Sequence, residues 1–504
     1  MSGPLSTAQE ILWRLDRQVP GAALNIAAAV ALDGPLDPAA LEAAFHQTVA
    51  RHEPLRSRYL RGREVEVLPS VPFGWERHDL AKLSAGRLAE RLDRLVHRIC
   101  SRPFRLAEGR PIRSALVRLP GERWAWLLAL HHIAADGWGM VLWSRDLSAF
   151  YRSLVRGEPC RLDELEAQSL GYAAWQRGFE AGPAAAAQLA WWRGYLAGLF
   201  EEEIADPDEH DPYAPTALQT AALPDALTER VRAARVRERS SVFLLGLTAF
   251  ALLLRRFRGR EDLAVGTLVA NRVRPESTDV LGAFYNTALL RLSLAGDPTV
   301  RELLARLGQT AQEVHERQGV PFGRVAAALA GDLAAVGNPP AGLLQVMFQH
   351  DEHPLRRLRL DGVTATDLDW SVDGLARGPE VAWTVTGPRE APLPGITRGR
   401  MARTADLSFH VREETDGLDL YLFYKMHRVA DSTIRWLLAS YREILAGVLD
   451  GLESGARVSA VAPGVGTDPP AATIESPAGL ADLPPWGFSA RHARALGKVS
   501  PAGA

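Results

Sequence analysis

Apolar residues recur along the first part of this chain in two patterns, short buried runs and longer stretches with helical spacing. The short runs predict strands at residues 23–32, 63–68, 112–119 and 124–130. The helical spacing predicts amphipathic helices at residues 7–15, 37–51 and 141–154. This mixture of strands and helices predicts an α/β (α+β) lobe.

The second part of the chain repeats the same kinds of element. Helices are predicted at residues 241–254, 298–318 and 432–449. Strands are predicted at residues 262–269, 287–294, 343–348, 405–411 and 418–424. Residues 182–187, GPAAAA, either separate two lobes or begin a helix. We therefore expect an N-terminal lobe at 1–180, a C-terminal lobe at 181–455 and a disordered Pro/Ala/Gly-rich tail at 456–504.

Residues 131–140, HHIAADGWGM, lie where a predicted strand ends and a predicted helix begins. Because side chains alternate along a strand, His131 and His132 should face opposite sides, one toward a cleft and one into the fold. This argues against a metal site, since a His–Asp pair supplies too few ligands for zinc. Asp136 could be an ordinary helix cap. An active site and a structural turn both remain open from these residues alone.

Composition removes several classes of function. The chain has 504 residues, with 58 Lys and Arg against 60 Asp and Glu, so its charge gives no argument for nucleic acid or an anionic membrane. Two cysteines, Cys100 and Cys160, make no disulfide framework, and we expect a reducing cytoplasm. The N-terminus lacks the pattern of a secretion signal. The most apolar stretch, 242–254, is too short to span a membrane and predicts a buried helix.

One metal-free imidazole suits acyl transfer near neutral pH, because it can accept a proton from an attacking amine or hydroxyl. The sequence has no Gly-x-Ser-x-Gly elbow, no cysteine in an activating context, no Gly-x-Gly-x-x-Gly and no P-loop. These absences fit a reaction in which the acyl group arrives already activated.

At these residues the chain resembles the condensation domains of nonribosomal peptide synthetases, within the HHxxxDG acyltransferases related to chloramphenicol acetyltransferase. The resemblance covers about residues 4–452. Besides 131–137 it is carried by motifs at 6–13, 51–56, 172–176, 265–272, 282–287, 320–322 and 345–348, in the family's order. The departures from the family's pattern are Gly139 for the usual Ser, with Gly171, Gly319 and Gly323 in later motifs.

The resemblance implies two chloramphenicol-acetyltransferase-like lobes in a V with a central tunnel. It places His132 at the reaction centre with His131 in support, and both are candidate catalytic residues. It makes Asp136 a structural partner of an arginine, Arg272 in preference to Arg56.

Five further site candidates follow from the same motifs. At a helix N-terminus the N–H of Gly137 could stabilise an oxyanion, which makes Gly137 a third catalytic candidate. Asn286 is either a hydrogen-bonding residue near the tunnel or a strand-end cap, and Trp138 is expected to pack in the core rather than contact substrate. Gly139 and Tyr285 are also tunnel candidates.

We expect an enzyme that joins a carrier-bound acyl or aminoacyl thioester to an amine or alcohol, with an amide favoured over an ester. The alternatives are a coenzyme A-dependent acyltransferase of the same fold and a silent platform that recruits carrier proteins. The expected partners are carrier proteins and a free or carrier-bound acceptor. No cofactor is expected beyond the phosphopantetheine that carries the substrates. We expect a monomer, and a chain that is free-standing or excised from a longer one.

Overall fold

A computed structural model gives the conformation of most of the chain. It describes residues 1–18, 22, 24–60, 64–70, 73–199, 215–335, 344–352, 357–367, 397–400, 405–414, 417–425, 429, 431–461 and 488–489. The helices are α1 Thr7–Gln18, α2 Pro38–Arg51, α3 Ala85–Cys100, α4 Gly137–Arg156, α5 Ser169–Glu180, α6 Pro183–Leu196, α7 Asp225–Arg237, α8 Val242–Arg258, α9 Val300–Glu316, α10 Phe322–Ala335, α11 Asp431–Ser454 and α12 Val458–Val461.

Strands alternate with these helices along the chain. They are β1 Ser2–Pro4, β2 Asn25–Asp33, β3 Ser57–Tyr59, β4 Glu64–Val67, β5 Trp75–Asp79, β6 Ile112–Arg118, β7 Trp124–His131, β8 Pro215–Ala222, β9 Asp262–Val269, β10 Asn286–Ser293, β11 Val346–Glu352, β12 Thr364–Asp367, β13 Thr397–Arg400, β14 Leu407–Glu413, β15 Leu418–Lys425 and β16 Phe488–Ser489. The predicted α/β class is confirmed.

The N-terminal sheet has the order β12-β2-β7-β6-β5, so β7 lies at its centre. One face of β7, with Trp126 and Leu128, packs in a cluster that includes Phe45 of α2 and Trp143 of α4. The other face packs against α3 in a second cluster. Burial on both faces explains why β7 is a continuous apolar run rather than an alternating one. It also fixes the end of β7, where His131 and His132 lie.

The C-terminal sheet has the order β10-β9-β11-β14-β15-β8-β13-β16, with β11 parallel to both β9 and β14. Its inner face packs on α8 and α11, where Phe250 lies between Phe348 and Phe409 with both ring-centroid distances at 5.1 Å. The apolar stretch of α8 is therefore a buried helix, as predicted. Among the described helices none alone could cross a membrane, although α7 and α8 together, bent by 112°, meet the length and composition criteria.

A strand from the second half of the chain belongs to the N-terminal sheet, contrary to the expected lobe boundaries. Strand β12 comes from the second half of the chain but pairs antiparallel with β2, Thr364 opposite Asp33. Leu358 and Leu360, which precede it, are buried in the N-terminal core. The assignment of 181–455 to the C-terminal lobe is therefore wrong for this segment. A strand of four residues carries too little periodicity to reveal its partner.

Two other boundaries differ from expectation. Residues 182–187 begin α6, with Gly182 as its N-cap, so the helix alternative is correct there. The predicted disordered tail starts too early, because Val458 is 2% exposed in α12 and Phe488–Ser489 pairs with β13. Residues 462–487 and 490–504 of that tail lie outside the described residues.

Candidate active site

The histidine motif is a short link between the end of β7 and the start of α4, anchored by backbone hydrogen bonds. The N–H of His131 donates to the carbonyl of Pro111 at 2.8 Å, and that of His132 donates to the carbonyl of Leu24 at 2.7 Å. The N–H of Ala134 then turns back to the carbonyl of His131 at 2.9 Å. These bonds hold two consecutive histidines at the strand end, where the ring of His131 contacts Asp16 and the ring of His132 contacts Tyr285.

The two ring nitrogens of His132 differ in their burial. Its Nδ1 is buried without a hydrogen-bond partner of good geometry, whereas Nε2 is not buried in this way, and the side chain as a whole is half-buried. Burial lowers the pKa of His132 below its usual value, and the carbonyls of His132 and Ala135 and the charge of Asp136 offset this in part. The ring is therefore a neutral imidazole at pH 7, and Nε2 is its accessible nitrogen.

His131 has no ring nitrogen left for a substrate. Its Nε2 lies 3.1 Å from Oδ1 of Asp16, and its Nδ1 accepts the N–H of Ile133 at 3.1 Å. The second bond makes Nδ1 an acceptor, so Nε2 carries the proton that bonds Asp16. His131 is 1% exposed, so its expected catalytic role is corrected to a supporting one. The sequence did not predict Asp16, because nothing in it links an acid on α1 to a histidine 115 residues away.

Asp136 is enclosed by hydrogen-bond donors from both halves of the molecule. Arg272 binds it through two nitrogens, each 3.0 Å from a carboxylate oxygen. The N–H of Gly139 donates to Oδ1 at 2.7 Å, and the N–H of Phe284 donates to Oδ2 at 3.0 Å. Asp136 is thus the N-cap of α4 and also joins that helix to the second half of the chain.

Arg56, the other candidate partner of Asp136, lies elsewhere. Its Nε donates to the carbonyl of Ala50 at 3.2 Å, and its Nη1 donates to the carbonyl of Leu68 at 2.6 Å. It fastens the end of α2 to the residue that follows β4. The preference for Arg272 over Arg56 agrees with this geometry.

Two glycines open α4 in different surroundings. Gly137 is exposed, and a Cβ added to it would meet nothing within 4 Å, so no neighbouring side chain crowds its Cα. As the first helical residue, its N–H has no acceptor within the helix. A Cβ on Gly139 would lie 3.2 Å from the Cβ of Ala135 and 3.4 Å from the carbonyl oxygen of Gly282. Gly139 therefore lies close to the Gly282 loop, and the Cβ of a serine there would require Ala135 or the Asp136 carboxylate to move by a few tenths of an ångström.

Trp138 does not pack in the core, and that prediction is wrong. Its side chain is 43% exposed, and its Nε1 donates to the carbonyl of Thr278 at 2.9 Å. The helix geometry explains this outcome, because Met140 and Trp143 occupy the inward face of α4. Sequence hydrophobicity does not distinguish a buried tryptophan from one that lies at the surface and donates a hydrogen bond to a neighbouring loop.

The side chain of Asn286 is hydrogen-bonded to backbone groups on all sides. Its Nδ2 donates to the carbonyls of Gln318 at 2.8 Å and Val320 at 2.7 Å. Its Oδ1 accepts the N–H groups of Phe322 at 3.0 Å and Thr287 at 2.9 Å. All the hydrogen-bonding positions of the amide are used by backbone groups, which supports the cap alternative for Asn286.

Tyr285, in the second half of the chain, lies beside His132. The two ring centroids are 5.5 Å apart, with the planes inclined by 55°. The tunnel candidates therefore separate into Tyr285, which lies at the imidazole, and Asn286, which is held by backbone.

The buried cysteine does not offer this site a nucleophile. Burial raises the pKa of the Cys100 thiol to about 12, so it is not a thiolate at neutral pH. Within the described ranges, no group of three His, Cys, Asp or Glu side chains is arranged to hold a metal ion.

The sequence matches the family model for the condensation domain over residues 2–372. It is 36% identical to a linear gramicidin synthase of Brevibacillus parabrevis over 369 residues, which cover 71% of this chain and 5% of the relative. It is 33% identical to the isonitrile lipopeptide synthase of Mycobacterium tuberculosis over 378 residues, 72% of this chain and 15% of the relative. The chain thus spans a small part of the curated relatives it matches.

Solved structures give the same fold. The SgcC5 protein from Streptomyces globisporus has a TM-score of 0.62 at 24% identity, covering 89% of this chain and 98% of that one. The first condensation domain of the calcium-dependent antibiotic synthetase has a TM-score of 0.65 at 19% identity, covering 91% and 98%. These similarities confirm the predicted chloramphenicol-acetyltransferase-like fold.

Proposed function

This chain belongs to the condensation domain family, and from that premise we propose that it joins a carrier-bound acyl or aminoacyl thioester to an amine or alcohol. An amide is favoured over an ester. The observation that carries the proposal is the arrangement of the motif: His132 is a half-buried, neutral imidazole at the end of β7, and the first N–H of α4 belongs to the exposed Gly137 five residues later. An accessible base next to a backbone donor is what attack on a thioester carbonyl requires.

The proposed step balances with these residues alone. The acceptor nitrogen attacks the thioester carbon, a C–N bond forms, and Nε2 of His132 takes the proton that the nitrogen loses. The developing oxyanion faces the N–H of Gly137 at the positive end of α4. When the C–S bond breaks, the carbonyl re-forms and the proton on His132 neutralises the departing thiolate.

Asp136 has no part in this proton transfer. Its carboxylate is bound by Arg272 and two backbone N–H groups, all at 3.0 Å or less. Asp136 instead fixes the direction of α4 and with it the N–H of Gly137.

The proposed substrates are thioesters on the phosphopantetheine arms of carrier proteins, with a free or carrier-bound acceptor. Such an arm is a substrate carrier, and no further cofactor is needed for the step above.

The test is intact-protein mass spectrometry of carrier proteins loaded with candidate acyl groups and mixed with this chain and amine acceptors. We expect product with the native chain and a loss of at least about 100-fold in rate with His132→Ala. Unchanged product formation by that variant would show a silent platform. Equal turnover of the matching coenzyme A thioester would show a simple acyltransferase.

A further inference from the structure

The backbone around Tyr285 is held on both sides. Before it, the N–H of Phe284 donates to Asp136, and the Phe284 ring stacks on Tyr172 with centroids 4.0 Å apart. After it, Asn286 is fixed by the backbone of residues 318–322. Between these two anchored residues, the Tyr285 ring lies against His132, with the ring centroids 5.5 Å apart.

The hydroxyl of Tyr285 differs from those of the other described tyrosines. Each of the others has a hydrogen-bond partner: Tyr59, Tyr151, Tyr172, Tyr195, Tyr421, Tyr424 and Tyr441. The Tyr285 hydroxyl has no hydrogen-bond partner among the described residues, and its oxygen is not fully buried. A packing role alone would need only a phenyl ring.

The phenol is a hydrogen-bond donor throughout the neutral range. Burial raises the pKa of Tyr285 well above its usual value, and the negative charge of Asp136 raises it further. The ring itself is partly buried against an apolar cluster that includes Leu5, Leu12 and Ile133, which fixes its position. The oriented ring beside the imidazole thus carries a protonated hydroxyl that makes no hydrogen bond to a described residue.

We propose that Tyr285 is a specificity-determining residue that contacts substrate, which rests on the function proposed above. Its hydroxyl donates a hydrogen bond to a carbonyl oxygen of the substrate at His132. Its ring limits the bulk of the side chain accepted next to the reacting carbonyl. That oxygen belongs either to the donor acyl group or to an acceptor amide, and the two sources are separable by kinetics.

Two variants separate the hydroxyl from the ring. Tyr285→Phe removes one oxygen and keeps the packing, and we expect kcat/KM to fall by about 3- to 10-fold, the effect of one lost hydrogen bond. Tyr285→Ala opens space, and we expect the ratio of kcat/KM for bulky against small substrates to rise by about 10-fold or more. The probes are carrier proteins bearing glycyl, alanyl, leucyl or phenylalanyl thioesters, with glycinamide and leucinamide as acceptors. A change confined to the donor series or to the acceptor series identifies the source of the carbonyl.

Tyr441→Phe is the matched control, because its hydroxyl donates to the carbonyl of Gly246 in the core of the second half, 3.2 Å away. We expect it to lower thermal stability without altering substrate preference. The proposal is overturned if Tyr285→Phe and Tyr285→Ala leave kcat/KM and the size ratio within about 2-fold of the native chain, less than one hydrogen bond is worth. If His132→Ala also retains full activity, the proposed function fails instead.

Discussion

The two ends of the histidine motif use their polar groups in opposite ways. At the strand end, His132 has a buried Nδ1 without a hydrogen-bond partner of good geometry and an Nε2 that is not buried in this way. At the helix start, Asp136 accepts two bonds from Arg272 and one each from Gly139 and Phe284. The same contrast recurs in the second half of the chain, where the Tyr285 hydroxyl has no partner among the described residues and the neighbouring Asn amide is fully bonded.

This difference distinguishes residues that could act on a substrate from residues that stabilise the fold. A fully bonded buried group stabilises the fold and has nothing to offer a substrate. An unpartnered polar atom beside a cleft is free to bind or exchange a proton. The residue types of the motif suggest an active site as a whole, but only hydrogen-bond partners show which of them carry the chemistry.

The largest stability effect is expected at Arg272. Its side chain is 5% exposed and that of Asp136 is 3% exposed, so Arg272→Met would leave a buried carboxylate without its ion-pair partner. We expect the free energy of unfolding to fall by about 3–5 kcal/mol in urea denaturation. Arg56→Met is the control, since the hydrogen bonds of Arg56 to the described residues go to carbonyls, and we expect a loss of about 1 kcal/mol. Equal losses would mean that the Asp136 site is not a buried ion pair.

A smaller loss of stability is expected at Asn286. Asn286→Ala leaves two carbonyls and two N–H groups without their side-chain partner, which should lower the free energy of unfolding by about 1–3 kcal/mol. Gln312→Ala removes an exposed bond to Glu316 within α9 and should change it by less than about 0.5 kcal/mol. A stable Asn286→Ala variant that had lost substrate binding would restore the tunnel role.

The Asp16–His131 pair should contribute less. Asp16→Ala removes the acceptor for Nε2 of His131, and we expect a loss of about 1 kcal/mol in the free energy of unfolding. Asp16→Asn keeps an acceptor oxygen and should recover most of this loss. If both variants were as stable as the native chain yet inactive, Asp16 would belong to the chemistry rather than to the support of His131.

The smallest effect is a shift in pH dependence. Because burial lowers the pKa of His132 and the neutral ring is the base, kcat/KM should fall only as pH drops below about 6.5, with its acid midpoint under that value. The measurement is a profile of kcat/KM against pH with saturating acceptor. A midpoint above 6.5 would contradict a desolvated imidazole.

The sequence predicts the parts of this site that depend on local patterns. The apolar run of β7, the cap at Asp136 and the order of motifs lead to His132 and to Arg272 as partner. It does not predict contacts between distant segments. Three such contacts depend on tertiary packing, which the local periodicity of the sequence does not reveal. They are the bond of Asp16 to His131, the bond of Trp138 to the Thr278 carbonyl and the pairing of β12 with β2.

The most direct test compares His132→Ala with Asp136→Asn in the same two measurements, kcat/KM with loaded carriers and the free energy of unfolding. For His132→Ala we expect kcat/KM at least about 100-fold lower and stability within about 1 kcal/mol of the native chain. For Asp136→Asn we expect a loss of several kcal/mol in stability, about 3 or more, because the neutral amide leaves Arg272 as a buried, unpaired charge. The account is contradicted if His132→Ala stays active, or if Asp136→Asn abolishes activity while its stability is unchanged.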